Sequence, residues 1–391
     1  MKMSSDSVKK EPLIRIAKRT GLPLWKSWGI HIAAFLLSMV VYVLVVRFFT
    51  GLTVGEVFKY ILKGAFGTTQ SRIFSEITLW TTIRNTFLLF GVALALAPAF
   101  RMRFWNIGGE GQILIGGLVS AILMLFLSEK VSNTLLIFLM LVASIVAGAI
   151  WAVIPAIFKA SRNTNETLFT LMMNYIAIQL VAYCNIIWEK KKGSGTISVI
   201  NPDTHAGWMP QGVLSNIFGE DSYIILTASV LIIAVFVYFY MAKTKHGYEL
   251  TVVGESHNTA RYSGINVAKV IIRTVAVSGA ICGIMGFLLV SDCSHTITVG
   301  TAENRGFTAI IVAWLGKLNT FYMFLVSAML IILGKGANEL ASKASLNVAL
   351  ADVLTGIVLF FILASEFFTN YKLIFRRSEN KSEVVAETES K

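Results

Sequence analysis

The sequence predicts an all-α, polytopic integral membrane protein with about 8–10 transmembrane helices and broken or short helices in its C-terminal third. Three observations carry that prediction. Of 391 residues, 55% are hydrophobic and 14% charged, against roughly a quarter charged in soluble domains, and the mean hydropathy is +0.70. Apolar runs near the ~20 residues needed to cross a bilayer recur along the chain. They do not alternate polar with apolar residues as barrel strands do, so the spans must satisfy their backbone internally, as helices. Basic residues gather at particular run ends, which sets an orientation and gives the net charge of +12 a membrane meaning, with anionic lipid as the partner and no nucleic acid.

The elements follow in order. Residues 1–27 form a basic arm with Lys9, Lys10, Arg15, Lys18, Arg19 and Lys26, placed in the cytosol, and Trp25 and Trp28 stand at the interface. No small-residue cleavage site follows the apolar run Ile30–Phe49, so it reads as a first span. The stretch from Gly51 to Trp80 carries Val54, Val57, Phe58, Ile61 and Leu62 at helical spacing, a helix lying on the outer surface. A second span, Thr82–Phe100, stops at Arg101 and Arg103. A glycine-rich entrance then opens a third run ending at Leu127; Leu135–Phe158 is the fourth, and a fifth ends at Trp188. Lys190–Lys192 open an outer loop to Asp221, against the positive-inside bias, which long loops obey weakly.

The sixth span, Tyr223–Met241, enters a basic segment, 243–268. Ser256 can cap a short helix there and Gly264 can end it in the left-handed conformation. Such a segment between two spans is a plain connecting loop or a handle that a soluble partner grips. The seventh span, Val270–Val290, is rich in small residues that let helices approach closely. Beyond it, Phe307–Leu315 is too short to cross, Leu318–Leu333 is marginal and Val348–Phe367 is adequate, with glycines between them. The membrane domain thus covers 28–371, and 372–391 is a charged, disordered, cytosolic tail. Both termini then lie on the cytosolic side of the membrane. Asn106-Ile-Gly-Gly echoes Asn304-Arg-Gly-Phe, as duplicated halves would.

No constellation for catalysis is present. GxxxxGK[ST], HExxH and GxSxG are absent, the five histidines do not cluster at ligand spacing, and Cys184, Cys282 and Cys293 suit neither a metal nor a disulfide framework. The chain reads as no enzyme, with no metal and no cofactor. What remains is polarity inside apolar runs. Glu110 and Gln112 either face a polar pathway or, for Glu110, complement a helix end at the headgroups. Asn174 either bridges helices or touches a ligand. Asp292, His295, Glu303 and Arg305 stand beyond the seventh span, solvated or docking a partner; Asp352 is similarly open. Asn165-Glu-Thr matches a glycosylation acceptor on the wrong side of the membrane.

The stretches WNIGGEGQILIGG, NTNETLFTLMMNYIA, HGYELTVVGESHNTARYSGIN and GFTAIIVAWLGKLN resemble, in order and spacing, permease subunits of bacterial ABC importers. The resemblance spans about Trp80 to Leu363 and narrows to the ribose and branched-chain amino-acid branch, and within it to nucleoside (guanosine-type) permeases. It implies cytosolic ATPase subunits that use ATP, a second and shorter permease chain forming a heterodimer, an external substrate-binding lipoprotein and a nucleoside cargo. It also implies that Gly254, Glu255, Ala260, Arg261, Tyr262 and Gly264 couple to the ATPase. The expected pathway passes Asn106, Glu110, Gln112, Asn174 and the broken helices at Thr308. Lys190–Lys192 and the cysteines depart from the family pattern and leave the cargo open. Alternatives are a simple-sugar cargo such as ribose and an ion-coupled secondary transporter, for which no intramembrane proton relay is visible.

Overall fold

The computed structural model describes residues 14–19, 23–67, 72–210, 223–343 and 348–375. Thirteen helices occur among them. In chain order they are α1 (Leu24–Thr50), α2 (Val54–Phe66), α3 (Arg72–Arg101), α4 (Gly109–Leu127), α5 (Asn133–Arg162), α6 (Glu166–Ile187) and α7 (Ile224–Lys243). Then come α8 (Lys245–Glu255), α9 (His257–Tyr262), α10 (Val267–Leu288), α11 (Arg305–Leu315), α12 (Thr320–Lys343) and α13 (Val348–Asn370). A π turn, Leu289–Ser294, extends α10. Nine of these helices, among the described residues, are long and apolar enough to cross a membrane, and α11 is a shorter apolar helix.

Two compact units divide the chain: residues 1–54 with 352–391, and residues 55–351. In the first, His31 Nδ1 meets Ser365 Oγ at 2.7 Å, linking α1 to α13. Strand β1 (Ile14–Lys18) pairs antiparallel with β2 (Tyr371–Phe375), Ile14 opposite Phe375. This ribbon differs from the disordered tail expected from Lys372 onward. Both segments place apolar residues at alternate positions, IRIAK and YKLIF, a period-2 signal too short to stand out. Residues 376–391 lie outside the described residues.

The second unit is held by glycine contacts. A Cβ on Gly283 would strike the Ser144 carbonyl, one on Gly279 would meet Ala152 and the Gly148 carbonyl, and one on Gly286 would meet α4 at Ile113 and Gly117. Backbones of α4, α5 and α10 therefore touch, which apolar side chains alone would not drive in lipid. Ser144 Oγ donates to the Gly116 carbonyl at 2.8 Å and meets Ser120 Oγ at 2.7 Å across the same seam. These partners run α5 antiparallel and α4 parallel to α10.

Several bounds move. Helix α3 begins ten residues before the expected Thr82, and α12 runs 24 residues where a marginal span was expected. Gly334 and Gly336 do not break α12: Gly336 lies against Ile61 of α2, so the glycine is a contact point. Helix α2 forms at the expected place, yet it buries Val57, Ile61 and Ala65 while Val54, Phe58 and Leu62 stay exposed. Its inner face packs on α12, with Lys63 paired to Glu339 at 3.3 Å.

Candidate functional site

Two places in the second unit collect the residues singled out from the sequence. The first is the meeting point of α4 and α11. Between α3 and α4 the chain runs through an irregular segment, Phe104–Ile107, before α4 starts at Gly109. Asn106 is fully buried; its Nδ2 donates to Ser278 Oγ at 3.2 Å and its Oδ1 accepts from Gly108 N and Gln112 Nε2, each at 3.1 Å. Asn174, also buried, accepts from Gly111 N at 2.8 Å and donates to the Ile107 carbonyl at 2.8 Å. The side chain stitches α6 to the start of α4.

Glu110 reaches across to α11. Asn304, the residue before α11, has φ +56 and offers no side-chain cap. The Glu110 carboxylate replaces it, Oε1 accepting from Asn304 N at 2.9 Å and Oε2 from Gly306 N at 2.7 Å. An acidic group at the positive end of a helix dipole is favourable, and it satisfies amides that hydrocarbon would leave bare. Gly306 must be glycine here, because a Cβ would collide with the Glu110 backbone. Thus the ends of two short-range elements meet at one buried carboxylate. Of the expected pathway residues, Asn106, Gln112 and Asn174 hold the start of α4 and Glu110 ties it to α11; Thr308 sits one turn into α11, half-buried, with its hydroxyl on the Asn304 carbonyl at 3.1 Å.

The second place is the α8–α9 pair. Thr244 caps α8 by accepting from Gly247 N at 3.1 Å, Ser256 caps α9 by accepting from Thr259 N at 3.3 Å, and Gly264 closes the turn at φ +75. Ser256 and Gly264 behave as their residue types suggest. Helix α8 was missed; Thr244 and the buried Gly247, Leu250 and Val253 at helical spacing were its signal. The pair is fastened to the membrane helices at three points. Thr251 Oγ1 accepts from Arg101 Nε of α3 at 3.1 Å, Glu249 pairs with Arg273 of α10 at 2.9 Å, and Gly254 abuts the backbone of Arg101 and Met102. Partial burial would raise the Glu249 carboxyl, but the Arg273 hydrogen bond and charge, with His246 and Lys245, hold it below its ordinary value. The six coupling candidates divide by side: Gly254 and Ala260 are buried against the protein, whereas Glu255, Arg261, Tyr262 and Gly264 are exposed, Tyr262 at 93%.

At the opposite ends of α4 and α10 a loop is plugged in. Gly207 N donates to Asn133 Oδ1 at 2.8 Å, Ser291 Oγ donates to the Gly207 carbonyl at 2.6 Å, and Trp208 stacks on His295 at 3.7 Å. Burial, then the neighbouring His205, pushes His295 down to about 4, so its ring is neutral at pH 7. Asp292 and Arg305, at 2% and 7% exposure, are buried, which corrects the solvated or docking role open to them from sequence. Arg305 donates to Glu303 at 2.7 Å and to Asn85 at 3.4 Å. The polar residues point inward because the π turn and the 295–304 stretch fold back into the protein. Asn165 caps α6 through Thr167 N and Leu168 N. Among the described residues no group of three or more His, Cys, Asp or Glu could hold a metal.

A glucose ABC transporter permease of Haloferax volcanii is 27% identical over 72% of this chain and 74% of its own. A guanosine ABC transporter permease of Bacillus subtilis is 27% identical over 78% of this chain and 87% of its own. A nucleoside ABC transporter permease of Lactococcus lactis is 24% identical over 75% and 80%. No solved structure matches. The family model for the permease component of branched-chain amino acid transport systems matches residues 77–363, nearly the whole second unit and most of the last helix, and the chain belongs to that family.

Proposed function

We propose that this chain is the permease subunit of an ATP-driven importer for nucleosides, working in the plasma membrane beside cytosolic ATPase subunits. The observation that carries the reading is the α8–α9 pair, a small outward-facing body pinned to α3 and α10 by Thr251, Gly254 and Glu249. A body so fastened transmits a push to two membrane helices at once, which a plain loop cannot do. Its outer residues Glu255, Arg261, Tyr262 and Gly264 form the contact with the ATPase, and Gly254 and Ala260 seat the body on the membrane helices. When the ATPase subunits close on ATP, the pair is carried with them and the packed helices rock as rigid bodies between two arrangements.

The face holding α8 and α9 is cytosolic in this proposal, because it collects Arg101, Arg103, Lys243, Lys245, Arg261 and Lys269. Both chain termini are cytosolic in this proposal, as the basic residues of the N-terminal arm favour. The buried residues Asn106, Glu110, Gln112 and Asn174 border the pathway, and Glu110 sets α11 against α4. A second, shorter permease chain completes the pore, and an external lipoprotein delivers the cargo. Two of the relatives named above handle guanosine or nucleosides, which supports the cargo; the glucose relative supports a sugar as the second reading.

Uptake of labelled guanosine, adenosine, uridine, glucose and ribose by cells lacking and then regaining this gene tests the cargo. Loss and recovery of nucleoside uptake alone is expected. Recovery of glucose or ribose uptake with no nucleoside uptake would replace the cargo and keep the machine.

A further inference from the structure

We infer that Trp105 and Trp314 form a base-stacking subsite for the cargo on the α8–α9 side of the molecule, an inference that rests on the nucleoside reading above. Trp105 lies in the irregular segment before α4 and Trp314 at the end of α11. Their rings stack at 5.0 Å and 25°, and Phe100 backs Trp105 at 6.0 Å. Neighbouring Phe104 and Asn106 are buried, yet the two indoles are 39% and 49% exposed. Their open faces border a cavity of about 380 Å³ whose other walls include Arg103, Lys317 and Leu318. That volume suits a single nucleoside-sized molecule.

The chemistry of the walls is selective. Indole faces attract flat heteroaromatic rings whatever the base, since every base has a π-face. Arg103 and Lys317 offer donors only, and no carboxylate lines the cavity, so the rim matches the carbonyl and ring-nitrogen acceptors on base edges. Tryptophans that merely anchor a protein among headgroups need not stack on one another across two elements. The shelf is also held in place by the backbone. Arg103, Lys317 and Leu318 have φ of 58, 50 and 56, left-handed values uncommon for such residues. The Trp105 carbonyl accepts from Thr170 Oγ1 at 3.4 Å. Glu110 joins the start of α11 to the start of α4, Trp105 lies just before that joint, and Trp314 lies at the other end of α11.

The test compares Trp314→Phe with Trp314→Leu in the complete transporter, measuring guanosine and uridine uptake and the amount of chain in the membrane. Phenylalanine keeps a π-face and leucine keeps apolar bulk without one. Stacking on one base is worth enough that leucine should lower uptake of both nucleosides about tenfold, while phenylalanine stays within about twofold of wild type. Trp105→Leu should repeat the loss. Equal uptake by the phenylalanine and leucine variants, high or low, would overturn the subsite while nucleoside uptake by wild type upheld the broader reading. A wild type that carries glucose or ribose and no nucleoside would overturn both.

Discussion

Glu110 shows how one side chain settles a site. Its two oxygens take the amides of Asn304 and Gly306 at 2.9 and 2.7 Å, so α11 owes its N-terminal cap to a different helix. Removing it in Glu110→Ala strands the buried Gly306 amide at about 1–3 kcal/mol and leaves the part-buried Asn304 amide without its carboxylate, whereas Glu110→Gln retains one acceptor. The melting temperature of the purified protein should therefore fall in the order wild type, Gln, Ala, and equal melting of all three would show that the cap carries no weight. His295 gives a pH-dependent counterpart. Its folded-state value near 4 lies below the ordinary 6.5, so the unfolded chain binds the proton first. The stability this neutral ring contributes is complete above 6.5 and is lost as pH falls from 6.5 toward 4. Thermal unfolding at pH 7 and pH 4.5 should show a smaller acid shift in His295→Phe than in wild type.

Helices and caps differ in how far the sequence displays them. The long spans were legible because length and apolarity alone demand a helix in lipid. Ser256 and Gly264 were legible because cap chemistry is local. Helix α8 was not, since its buried face of Gly247, Leu250 and Val253 is apolar enough to pack yet too short and polar overall to register as a span. The partners of Asn106, Glu110 and Asn174 were out of reach as well: the residues joined by Glu110 lie 194 and 196 positions away, and no local pattern encodes that pairing. Gly254 makes the same point testably. A Cβ there would meet the Arg101 carbonyl, so Gly254→Val should lift α8 from α3. Limited proteolysis at Arg261 and Lys269 should then become faster with the chain still in the membrane, and unchanged cleavage would contradict the docking.

The second unit combines a glycine-seamed core of α4, α5 and α10 with the α8–α9 pair and with α11, an apolar helix too short to span alone. In the proposed coupling, a push on α8 and α9 reaches α3 and α10 through Thr251, Gly254 and Glu249. The central claim is that ATP, used by a partner subunit, drives transport through the exposed edge at Arg261. The most direct measurement is nucleoside uptake by wild type and Arg261→Glu, each with ATP depleted or with only the proton gradient collapsed. Wild type should lose uptake on ATP depletion and keep it when the gradient alone is gone, and Arg261→Glu should reach the membrane in normal amount yet show at least a tenfold loss throughout. Uptake that survives ATP depletion, or an Arg261→Glu chain as active as wild type, would contradict it.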